Sequence, residues 1–146
     1  MKRKHSEIPW SRIVSLGKAL VGTPYVFGAE IDIYDFMKNP DPKRIAAIDC
    51  SELIELLYAF VDIIIPDGSY NQAKVCNPIT QVKLGDLGFK WNPDTHVIHH
   101  VGIYIGDDLV LEAKGKQWGT VLTPIGEYNK STHFAWWGRH KDVEDA

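Results

Sequence analysis

The chain has 146 residues, 45% of them hydrophobic and 24% charged, which is enough to bury one core without disulfide or metal staples. These proportions exclude a disordered, collagen-like or coiled-coil chain. With 16 Lys+Arg against 19 Asp+Glu and a net charge of -3, a broad nucleic-acid-binding face is not expected.

The basic start Met1-Lys2-Arg3-Lys4-His5 leads into the mixed Ser6-Glu7-Ile8-Pro9-Trp10-Ser11-Arg12 rather than an apolar run. No signal peptide is therefore expected. Residues 8–20 place Trp10, Ile13, Val14, Leu16, Ala19 and Leu20 at helical spacing, and Gly22 and Pro24 end the pattern. Residues 29–48 are irregular and hold Asn39-Pro40-Asp41-Pro42, most of which reads as an exposed excursion with room for one helical turn. The clearest helix carries Leu53, Ile54, Leu57, Tyr58, Phe60, Val61 and Ile64, and is stopped by Pro66 and Gly68. Asp49-Cys50-Ser51-Glu52 matches an N-cap acid followed three positions later by Glu, which makes Cys50 the first helical residue. The run Val61-Asp62-Ile63-Ile64-Ile65 is too short to span a membrane, so no membrane insertion is expected. Beyond residue 70, short apolar pieces alternate with turn residues: 81–82, 85–89, 96–105, 109–113, 119–123 and 133–137. They read as five or six strands, mostly antiparallel because their connections are short. Helices followed by a sheet make an α+β domain over 1–146.

Two cysteines are not a disulfide framework. A thiol at a helix start faces unpaired N–H groups and the positive end of the helix dipole, both of which favour thiolate. Cys50 is thus a candidate nucleophile, although a lone Cys is also ordinary core filler. Cys76, beside Asn77-Pro78, has no chemical company and reads as a packing or surface thiol. His96, His99 and His100 cluster ahead of Val101-Gly102-Ile103-Tyr104-Ile105. Successive strand residues face opposite sides, so His99 and His100 are not expected to share a site. The spacing matches no zinc pattern, and neither a metal nor a cofactor is expected. Trp91, Trp118, Trp136 and Trp137 fit either a core or a cleft lining.

Together these pieces resemble the NlpC/P60 family of papain-like cell-wall peptidases. The likeness begins at Gly22-Thr23-Pro24-Tyr25-Val26-Phe27-Gly28, similar to the family's G-x-P-Y-x-[WF]-G segment. It continues at Asp49-Cys50-Ser51, similar to the D-C-S nucleophile turn, and at Gly85-Asp86-Leu87. It ends with His100-Val101-Gly102-Ile103-Tyr104-Ile105-Gly106, similar to H-V-G-I-Y-x-G. The ordered set spans about residues 13–113.

The resemblance implies a papain-like fold with N-terminal helices on an antiparallel sheet. It implies a thiol hydrolase cutting an amide bond in the stem peptide of peptidoglycan. Cys50 would be the nucleophile and His100 the general base, then acid. Glu112, twelve positions later, occupies the place of the orienting residue. A carboxylate suits that role, because it accepts the imidazole N–H and stabilises imidazolium. The residue matching Tyr25 helps stabilise the oxyanion, and those matching Asp49 and Ser51 help bind the substrate. For Glu112 to reach His100, the turn at Gly106-Asp107-Asp108 must be a three-residue loop, which sets Gly102 opposite Glu112. A two-residue loop would point Glu112 away.

Two departures stand out. Residues 29–47 form an insert where the family has a shorter connection, expected to border the cleft. Gly88 and Lys90 replace apolar and aromatic residues. An acyl transferase or an amidase on another small amide is the alternative activity. Without an export signal, a phage lysin, a virion-associated enzyme or a cytoplasmic recycling enzyme fits as well as a secreted one.

Overall fold

The computed structural model describes residues 2–145. The alternating pieces of the second half build one sheet of six strands in the order β2-β7-β3-β4-β5-β6. These are β2 (Cys76–Pro78), β3 (Leu87–Trp91), β4 (Ile98–Tyr104), β5 (Leu109–Gly115), β6 (Gly119–Pro124) and β7 (Phe134–His140). Every neighbouring pair is antiparallel. The helices are α1 (Ser11–Ala19), α2 (Ile33–Lys38), α3 (Cys50–Ala59), α4 (Ser69–Lys74) and α5 (Ile125–Lys130). A small parallel pair, β1 (Arg3–Lys4) with β8 (Val143–Glu144), ties the two ends of the described chain together. No helix among the described residues is long and apolar enough to cross a membrane. The expected α+β layering is what the structure has.

Period-two alternation sorts the strand residues onto two faces. Leu87, Phe89, Val101, Ile103 and Leu111 are completely buried in one core with Leu53, Ile54 and Leu57 of α3. A second, smaller cluster joins Val110, Trp137 and Tyr128 of α5. Gly88 and Gly102 are paired across β3 and β4 and make room for Tyr128. A Cβ on Gly88 would lie 2.8 Å from ring atoms of both Tyr128 and Trp137. Tyr128 completes the fit by donating its hydroxyl to the Gly88 carbonyl at 2.7 Å. Gly88→Ala should therefore overpack this cluster and cost about 1–3 kcal/mol, measured by denaturant unfolding.

Helix α3 ends at Ala59, earlier than its apolar spacing suggests. Asp62 adopts a left-handed φ of 58°. On either side of it Val61, Ile63 and Ile65 are buried, while Ile64 is 93% exposed. A turn at 60–62 followed by a non-helical segment produces this alternation, which mimics the continuation of a helical pattern. Residues 81–82 form no strand, and β2 at 76–78 takes the sheet edge instead. The insert at 29–47 is ordered by α2, whose Phe36 is buried and packs edge-on against Phe60, and by the Arg44–Asp35 ion pair.

Candidate active site

Cys50 opens α3 as its first residue and is buried. The turn before it is held by Asp49, whose extended backbone and Oδ1 cap the helix by accepting from the Glu52 N–H at 2.9 Å. Its Oδ2 accepts from the Gly28 N–H at 3.0 Å. Ser51 is buried and its hydroxyl donates to Asp49 Oδ1 at 3.3 Å. The capping box forms only in one direction, because Glu52 accepts from the Ile31 N–H instead. Thus Asp49 and Ser51 are engaged with each other and with the backbone around the thiol, in a frame that fixes the nucleophile turn. Tyr25 reaches the same turn through a parallel bridge to Ile48. Burial, followed by the nearby Cys50 and Asp49, pushes its phenol above the usual range.

His100 and Glu112 meet across a hairpin. Ile105 donates to the Leu109 carbonyl, and Leu109 donates to that of Gly106. Gly106, Asp107 and Asp108 form the three-residue loop, all with positive φ. Ile103 pairs with Leu111 and Tyr104 with Val110, a register that sets Gly102 across from Glu112, as expected. His100 Nε2 lies 2.8 Å from Glu112 Oε1. Thr123 of β6, which the sequence reading missed, donates to Glu112 Oε2 at 2.6 Å. With Nε2 given to Glu112, Nδ1 is the ring nitrogen left for Cys50, which lies near enough to His100 to raise its pKa.

Burial by itself would lower the His100 pKa. The hydrogen bonds to Cys50 and Glu112 outweigh it and raise the imidazole to about 9. Burial pushes the Glu112 carboxyl up, but His100 and Thr123 more than reverse that and hold it below the usual range. The two directions agree on one state, an imidazolium beside a carboxylate.

These residues sit in a cleft of about 590 Å³ lined by Tyr25, His100 and Glu112 together with Lys90, Lys114 and Trp118. His99 and His133 line it too, with His99 Nε2 lying 3.0 Å from His133 Nδ1. Strict alternation puts His99 on the other face, and the structure corrects this. Lys90 pairs with His100 while Trp91 pairs with Ile98, which makes His99 the extra residue of a β-bulge. A bulge re-aims the side chains around it. His96 instead stacks on Trp91 outside the cleft. Trp137 is core and Trp118 is cleft wall, so the tryptophans divide between the two roles. No residue of 29–47 is among the described cleft-lining residues. The insert lies along α3 and encloses a separate recess of its own. Cys76 is buried and free, its thiol pushed up to about 12 by burial and by Asp86.

One group of metal-ligating side chains, Glu52, Glu55 and Asp67, converges within 4.8 Å. Burial, then the neighbouring Glu52 and Asp67, raise Glu55 to about 9. Its Oε2 is sealed from solvent and has no hydrogen-bond partner among the described residues.

Among solved structures, an NlpC/P60 family protein from Bacillus cereus superposes with a TM-score of 0.70 at 21% identity, over 91% of this chain and 41% of its own. The P60 domain of an M. avium subspecies paratuberculosis antigen gives 0.67 at 22% identity, over 91% and 94%. The NlpC/p60 domain of peptidoglycan hydrolase SagA gives 0.65 at 21% identity, over 90% and 99%. The chain therefore spans less than half of the first protein but nearly all of the two isolated domains. Among curated proteins none matches significantly. The model of the NlpC/P60 family matches residues 22–137, an interval that holds Tyr25, Cys50, His100 and Glu112, and the chain belongs to that family.

Proposed function

We propose that this protein is a cysteine peptidase that hydrolyses an amide bond in the stem peptide of bacterial peptidoglycan. The observation that carries the reading is the 2.8 Å contact of His100 Nε2 with Glu112 Oε1 in one cleft, with Cys50 on the first turn of α3 acting on the same imidazole. In the first half-reaction the Cys50 proton is already held by His100 as imidazolium, and Sγ attacks the scissile carbonyl carbon as the thiolate. The C=O π pair moves to oxygen, near which the Tyr25 hydroxyl donates. Collapse of this intermediate breaks the C–N bond, and imidazolium gives its proton to the departing amine. Water then attacks the thioester, its proton passes to His100, and the C–S bond breaks to release the acid and restore thiolate beside imidazolium. Glu112 holds the ring orientation and favours the cation, while Thr123 fixes the second Glu112 oxygen.

The test is to incubate the protein with purified peptidoglycan, quantify new amino groups and weigh the released fragments. The expected result is amine release with masses that place the cut within the stem peptide, insensitive to chelators. No release, or activity lost to chelation and restored by zinc, overturns the reading.

A further inference from the structure

The cleft is cationic in a protein whose net charge is -3. Its lining contains one carboxylate, Glu112, and both of its oxygens are committed to His100 and Thr123. Against it stand Lys90 and Lys114. Lys90 is directly opposite His100 in the β3–β4 register, so the two side chains leave the same face of the sheet. Its ammonium rests 4.3 Å from the centre of the Tyr128 ring, and that of Lys114 4.9 Å from the centre of the Trp118 ring. These aromatic faces hold the cations in place without neutralising them. Neither lysine has a carboxylate within ion-pair distance among the described residues. Lys90 is half-buried, and that burial lowers its pKa; the Glu112 carboxylate raises it, Lys114 lowers it and Glu127 raises it. It has given up hydration without a carboxylate in ion-pair contact, since Glu112 and Glu127 act on it only from beyond that distance. Two held, unpaired cations beside a nucleophile form an anion site of the kind that focuses charge in a cleft.

Building on the hydrolase reading above, we propose that Lys90, assisted by Lys114, binds a free carboxylate adjacent to the scissile amide. The protein thereby selects stem peptides with unmodified carboxyl groups over those in which that carboxyl is amidated.

Two synthetic stem peptides that differ only in carboxylate or carboxamide at the position next to the cut provide the test. For the wild-type protein, kcat/KM should favour the carboxylate by roughly 10–100-fold, the range for a charged group bound in a partly desolvated site. Lys90→Gln should collapse that ratio to within about threefold, mainly through KM for the carboxylate peptide, and Lys90→Arg should restore most of it. If Lys90 served only to hold Glu112 or Tyr128 in place, Lys90→Gln would depress both peptides equally and the ratio would survive. That result, or a wild type with no preference, overturns the assignment while leaving the hydrolase reading standing. A wild type inert toward both peptides overturns the hydrolase reading instead. In that case calorimetric binding of the same two peptides decides the carboxylate site, which fails if the two affinities are equal.

Discussion

Cys50→Ala is expected to abolish hydrolysis, lowering kcat by roughly 10⁴–10⁶-fold, because triad members act as a unit and the nucleophile has no substitute. The folded state should survive, since alanine is the best helix former and the position is a helix start. Far-UV circular dichroism and denaturant unfolding should match the parent closely. Cys76→Ala should behave in the opposite way. It removes a buried sulfur from the core and should cost about 1 kcal/mol of stability while turnover persists. A Cys50→Ala protein that still cleaves, or a Cys76→Ala protein that is folded yet inert, would sink the nucleophile assignment.

Glu112→Gln is expected to reduce turnover by roughly 10–1,000-fold, less than loss of Cys50, because the ring can still hydrogen-bond an amide. The pH profile should carry the clearer signature. His100 is held near 9 partly by the Glu112 carboxylate. The proton-donating imidazolium should therefore persist until pH rises through about 9, and kcat/KM should fall along that limb. Glutamine removes the anion that favours the cation, so the alkaline limb should move to lower pH. Linkage gives the same sign for folding. The folded-state pKa of His100 lies above its ordinary 6.5, so its stabilising contribution is complete below about 6.5 and is lost as pH rises through about 9. The Glu112→Gln protein should lose part of this dependence in equilibrium unfolding followed between pH 6 and 10. An alkaline limb that stays in place in the variant would show that Glu112 does not act through His100.

Much of the nucleophile's setting follows from local order. Asp49 before Cys50 and the apolar spacing from Leu53 to Leu57 are enough to place a thiol on the first turn of a buried helix, because capping and periodicity involve only near neighbours. The hairpin is legible in part: Glu112 comes from the resemblance, and the length of the loop, which the sequence leaves open, dictates whether it shares a face with His100. What the tertiary structure alone decided involves partners distant in the chain or a break in period. Thr123 reaches Glu112 from β6, and Tyr128 fills the space above Gly88 and Gly102 from a helix with no strong apolar pattern. The bulge at His99 depends on a register shift against β3, so alternation counted along β4 alone assigns that histidine to the wrong face. The insert at 29–47 lies along α3 because Gly28 and Ile31 find Asp49 and Glu52, acceptors 21 residues away. Lys90 becomes a cleft residue through its pairing with His100, a cross-strand neighbour that no spacing within β3 identifies.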